Sequence, residues 1–156
     1  MGKTYDEWNQ HRTRLPAGQY LVKCLGGQKT EFYLQGTRGY GKSEKIALMF
    51  QIIEGEYMGA ILPMFLSSPE KGKVPQGSKY YVFWSIANGN RKPTRSRLKE
   101  MPLSKFQNKV FRAEVVTVKP KWITGDRREI EVEQPEHLFY SRVDILYELI
   151  IGDPNT

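Results

Sequence analysis

The sequence predicts a mainly β domain of the α+β class, a small Greek-key barrel of five short strands with one intervening helix and a C-terminal helix. Three observations predict it. Apolar residues alternate in several short runs, and glycine- and proline-rich punctuation separates those runs. Two stretches, residues 78–88 and 141–151, instead carry apolar residues at spacings of three and four, as a helix would.

Residues 1–14 form a polar arm, read as a short helix or a frayed arm. Leu15-Pro16-Ala17-Gly18 is a turn signal, and Gln19 to Leu25 alternates as a first strand. Gly26-Gly27 interrupts it, and Glu31 to Gln35 is a separate, shorter extended piece. Ile46, Leu48, Phe50 and Ile52 recur at period two, with Ala47, Met49 and Ile53 between them, so this strand is largely buried. Glu54 to Gly59 holds two glycines within a hairpin-length connection. Ala60 to Leu66 returns as the partner strand, and Pro63 assigns it to an edge or a bulge.

Ser67 to Gly77 is a loop. Ser78 to Ala87 fits helix or strand; Tyr80, Tyr81, Phe83, Trp84 and Ala87 share one helical face, and Asn88-Gly89-Asn90 would end that helix. Arg91 to Lys105 reads as a basic surface loop with a helical turn near Ser104. Val110 to Val118 and Glu129 to Glu133 alternate as strands around a hairpin-like loop, residues 119–128. From Ser141 a helix is expected, with Asp144 at the capping-box position and Val143, Ile145, Leu146, Leu149 and Ile150 on its buried face; Gly152 and Pro154 close it. The expected organisation is one domain over residues 15–152 and a tail of residues 153–156. Strands in this order around one helix suit a barrel of the OB type.

Composition narrows the function. The chain has 156 residues, enough for one domain with a real core, and is 39% hydrophobic and 26% charged. No stretch reaches the roughly 20 apolar residues of a membrane span. The polar start lacks an apolar leader core, so the expected location is cytoplasmic, with no membrane partner. Cys24 is the single cysteine and lies in an apolar run, where a buried structural thiol is expected. With only His11 and His137 beside it, neither a nucleophile–base pair nor a metal site is expected. The formal net charge is +7, which favours polyanionic partners.

Residues 36–43, Gly-Thr-Arg-Gly-Tyr-Gly-Lys-Ser, match the P-loop pattern, and Leu149 to Asp153 faintly imitates the second motif of nucleotide hydrolases. A P-loop must open a helix whose N-terminus cradles phosphate. Here the next segment alternates like a strand, so the sequence is read as a glycine-rich basic loop, with nucleotide binding by Gly36–Ser43 as the alternative. Glu129, Glu131 and Glu133 alternate as an exposed face. No catalytic residue and no cofactor are expected.

Single-strand binders combine a positive groove for phosphates with aromatic faces for bases, each stack worth about 1–3 kcal/mol. In an OB fold the connections between strands 1 and 2 and between strands 4 and 5 flank that groove. The first here carries Tyr33, Arg38, Tyr40 and Lys42; the second carries Lys121, Trp122, Arg127 and Arg128. A third segment supplies Arg91, Lys92, Arg95 and Arg97, with Lys99 beyond. Phe50, Phe65, Phe83, Phe111 and Trp84 are assigned to the core.

Leu15 to Tyr20, Ile46 to Ile53, the Glu54-Gly55-Glu56-Tyr57-Met58-Gly59 hairpin and Phe106 to Val118 together resemble OB-fold single-stranded-DNA-binding accessory proteins of phages and mobile elements. The resemblance covers about residues 15–150. It implies a non-catalytic role in replication or recombination, single-stranded DNA as partner in preference to RNA, and a replication or recombination protein as a second partner. A basic module that engages a replication or defence protein is the other alternative.

Overall fold

A computed structural model describes residues 4–5, 7–8, 12–33, 42–69, 72–118, 121–124, 130–133 and 139–151. Seven strands run in chain order: β1 (Gly18–Tyr33), β2 (Lys42–Ile52), β3 (Ile61–Ser67), β4 (Val110–Val118), β5 (Lys121–Thr124), β6 (Ile130–Glu133) and β7 (Tyr140–Ile151). Thr4, Tyr5, Glu7 and Trp8 are helical in the arm, and an α-helix, α1 (Lys79–Ala87), stands between β3 and β4. Short 3-10 turns follow it at Leu98–Glu100 and Leu103–Lys105.

Five strands form one antiparallel sheet in the order β3-β2-β1-β4-β7, and β5 pairs with β6 as a separate hairpin. The mainly β class is as expected. The sheet is not hydrogen-bonded shut into a barrel. Its two edge strands, β3 and β7, nevertheless approach each other, and α1 packs against both.

β1 is one continuous strand where two pieces were expected. Its ladder with β2 slips between Cys24 and Gly26, so the two glycines mark a bulge inside the strand. Gly27 also needs its missing side chain, because a Cβ there would lie 2.6 Å from Leu48 Cδ2 in the core. The β2–β3 turn uses Gly55 and Gly59 at positive φ, 84° and 96°. Pro63 lies on β3, an edge strand, as its missing N–H requires. Residues 78–88 resolve as helix. Ser78 caps it by accepting from Tyr81 N, and Tyr80, Phe83, Trp84 and Ala87 face the core.

The expected C-terminal helix is instead β7. Buried positions on β4 fall at spacing two, Phe111, Ala113 and Val115, and their partners on β7 are Leu149, Leu146 and Val143. Three register shifts insert one extra residue each on β7, at Asp144, Tyr147 and Ile150. A strand with a bulge at every step repeats every three residues and so imitates a helix. Ile145 and Ile150, expected in the core, are exposed. Asp144 caps nothing and pairs with Lys79 and Arg142 at 3.6 and 3.5 Å.

The main core lies between the sheet and α1. Phe50, Phe111, Phe83 and Trp84 are buried in it, as expected, together with Leu48, Leu62, Met64 and Leu146. Tyr80 donates a hydrogen bond to the Met101 carbonyl, which ties α1 to the chain leading into β4. A second, smaller cluster forms on the other side of β2. Tyr5 and Trp8 cover Ala47 and Met49 there, with Phe65 and Tyr140 at its margin. β2 is therefore buried on both faces.

Cys24 is fully buried, and burial pushes its thiol up to about 12. Folding keeps this group protonated, so its contribution is complete below the unfolded value near 9 and is lost as pH rises from there towards 12. Urea unfolding at pH 8 and pH 10.5 is expected to show a steeper alkaline loss in the natural chain than in Cys24→Ala, by on the order of 1 kcal/mol per pH unit. Equal pH slopes in the two proteins would exclude this assignment.

Candidate nucleic-acid interface

The two expected binding connections lie at opposite ends of β1. Tyr33 and Lys42 are Cα partners at the far end of the β1–β2 hairpin. The β4–β7 connection leaves from the Gly18 end, where Gly18 pairs with Val115 and β4 continues to Val118. The sheet thus separates the connections by the length of β1.

Arg38, Tyr40, Arg127 and Arg128 lie outside the described residues. Lys121 and Trp122, expected in a loop, are in β5, opposite Glu133 and Val132. Alternation placed the turn too early, because it saw β6 and not its short partner. Within residues 36–43, Gly36 to Gly41 lie outside the described residues. Lys42 and Ser43 begin β2, with Ser43 opposite Phe32, so a strand follows where a P-loop places a helix. His11 and His137 also lie outside the described residues.

The third segment is fully described. Arg91, Lys92, Arg95, Arg97 and Lys99 are all exposed. Among the described residues none of them forms an ion pair with a carboxylate. An antiparallel bridge pairs Arg97 with Lys73, and Val74 N donates to Ser96 O at 2.9 Å. Lys73 therefore joins this basic surface from a loop more than twenty residues upstream. Sequence reasoning missed it, since Lys73 sits in an unremarkable Pro-Gly-Lys-Ser loop.

Two further cations were also missed. Arg12 lies over the rings of Trp8 and Tyr140, 5.5 and 4.9 Å from their centroids, and Arg14 lies over Phe139 at 5.6 Å. The arm is stitched to β7 at this point. Buried Ser141 Oγ donates to Leu15 O and accepts from Leu15 N, and Ser141 N donates to Thr13 O. Ordering of the arm thus sets two cations beside the start of β7.

Other features do not suit an anion. Tyr147 is a half-exposed aromatic with Arg112 4.7 Å from its centroid. Yet Arg112 also pairs with Glu148 at 3.1 Å, and Tyr147 donates to Glu114 at 3.0 Å. Two carboxylates outweigh one guanidinium, so this patch would repel phosphate. The outer face of β2 is unavailable as well, because Tyr5 and Trp8 occupy it.

Compared with known protein families, curated proteins and solved structures, the chain matches none. No described helix is long and apolar enough to cross a membrane.

Proposed function

We propose that this chain is a non-catalytic protein that holds single-stranded nucleic acid on an OB-type fold. The observation that carries the reading is the basic segment 91–99. Five exposed cations there have no carboxylate partner among the described residues, and the bridge to Lys73 concentrates the charge further. Like charges set side by side repel unless an anion sits between them, so such a surface favours a polyanion.

The fold supports the same reading. The sheet order, with β3 near β7, traces the cycle β1-β2-β3-β7-β4, and α1 lies between the third and fourth sheet strands in chain order. That is the cyclic order of an OB barrel, with β5–β6 as an insertion in the last connection. In such a barrel the two connections at opposite ends of β1 flank the binding groove. Arginine and lysine neutralise phosphates, while Tyr40 and Trp122 supply stacking faces. A replication or recombination role in a mobile element follows from the resemblance noted above.

The test is titration of a fluorescent single-stranded oligonucleotide at two salt concentrations, beside the matching duplex. Tight, salt-sensitive binding that prefers the single strand is expected. Absence of binding at low salt overturns the proposal. Trp122→Ala and Tyr40→Ala are each expected to weaken binding by about fivefold or more, the loss of one stacked base. Unchanged affinity in the double variant removes the stacking role.

A further inference from the structure

A cleft of about 450 Å³ opens between the end of β3 and the start of α1. Ser67, Ser68, Pro69, Pro75, Ser78 and Tyr80 line it, together with Lys73. Its size falls in the range of small-ligand sites, and its make-up follows their pattern of apolar walls with a few hydroxyls and one charge. Pro69 and Pro75 offer flat apolar surface, while the buried Tyr80 closes the floor of the cleft from the core side. The Tyr80 hydroxyl is already committed to Met101 O, so the ring is held in place.

The cations stand at the rim. Lys73 and Arg97 are directly opposed across an antiparallel bridge, so their side chains leave the backbone on the same side. Neither has a carboxylate partner among the described residues. On the β2 side, Lys45 Nζ donates to Ser67 Oγ at 3.2 Å. Ser78 is the N-cap of α1, so the positive end of the helix dipole also faces this region. Lys45 is part of the β1–β2 hairpin, which places the cleft at the base of the first expected binding connection.

We propose that this cleft seats one nucleotide of a bound single strand, the base against Pro69 and Pro75 and its phosphate between Lys73 and Arg97. The inference rests on the single-strand reading above. A strand leaving the β1–β2 hairpin would pass the cleft before reaching the segment at 91–99. The seated nucleotide fixes where the strand turns.

The experiment compares two double variants that lose the same charge. Lys73→Gln/Arg97→Gln removes the opposed pair, and Lys92→Gln/Lys99→Gln removes two cations away from the cleft. All four side chains are exposed, and loss of the repulsion is expected to leave thermal stability unchanged or slightly raised. Affinity for a single-stranded oligonucleotide is expected to fall about tenfold in the control, the loss of two phosphate contacts, and several-fold further in the cleft variant, which also loses the seat. In parallel, thymidine 5′-monophosphate is titrated into the isotope-labelled natural chain. Amide signals of Ser67, Ser68, Lys73 and Ser78 are expected to move with the nucleotide and less with thymidine or inorganic phosphate. Equal losses in the two variants with still cleft signals overturn the nucleotide seat while the single-strand function stands. Failure of the natural chain to bind the oligonucleotide at all overturns both.

Discussion

Replacing Arg91, Lys92, Arg95 and Arg97 together by glutamine is expected to lower affinity for single-stranded nucleic acid on the order of a hundredfold near 0.15 M salt. The reasoning is counterion release. Each phosphate neutralised on a single strand contributes a slope of about 0.7 in log affinity against log salt, which is roughly fourfold in affinity per contact at that salt. Four contacts compound to that loss. The same variant should show a salt slope shallower by nearly 3. All four side chains are exposed and none has a carboxylate partner among the described residues, so folding should be unaffected by the change. Fluorescence anisotropy across a salt series reads both quantities. A variant that binds as tightly as the natural chain, with the same slope, would place the nucleic acid elsewhere.

Trp8→Ala carries the largest expected effect on stability. Trp8 is only 4% exposed, and its ring stands 5.9 Å from Tyr5 and Phe65 and 5.3 Å from Tyr140. Truncating a buried tryptophan costs about 3–5 kcal/mol. Near 150 residues that corresponds to a fall in Tm of roughly 10 °C. A chain starting at residue 12 lacks both aromatics and sets the ceiling on the loss. Detachment would bare Ala47, Met49 and Phe65, and binding of a hydrophobic dye should rise. Trp8→Phe separates ring from indole. Trp8 Nε1 is buried and finds no acceptor among the described residues, an arrangement that costs about 1–3 kcal/mol. The phenylalanine variant therefore should lose much less than the alanine variant. Denaturation curves for both decide it; a loss below about 1 kcal/mol in Trp8→Ala would mean that the arm contributes little to the fold.

The arm also bears on function. A sheet whose β2 is covered on its outer side cannot present that strand to bases. Under the proposed single-strand reading, contacts are therefore expected at the connections at the two ends of β1, the segment at 91–99 and the cleft beside Lys73. Arg12 and Arg14 are placed near β7 by the same docking.

The sequence by itself determined the strands whose neighbours pair in simple register. Ile46 to Ile52 alternates because β2 meets β1 and β3 with few slips, and Val110 to Val118 alternates because the bulges of its ladder with β7 all lie on β7. Glycines at 55 and 59, Pro63 and the basic run after Asn90 were equally legible, since backbone sterics and charge act locally. Tertiary structure decided the rest. Residues 143–149 carry a three-residue repeat that a helix explains equally well, and only pairing with β4, with one extra residue at each step, makes them a strand. Residues 1–14 look polar in sequence, yet Tyr5 and Trp8 are buried, because two aromatics in a polar segment become core when a sheet face is offered to them. Lys73 met Arg97 through a bridge between two loops. Spacing along a chain records the neighbours a residue has in its own element, and these three contacts join elements that the sequence keeps far apart.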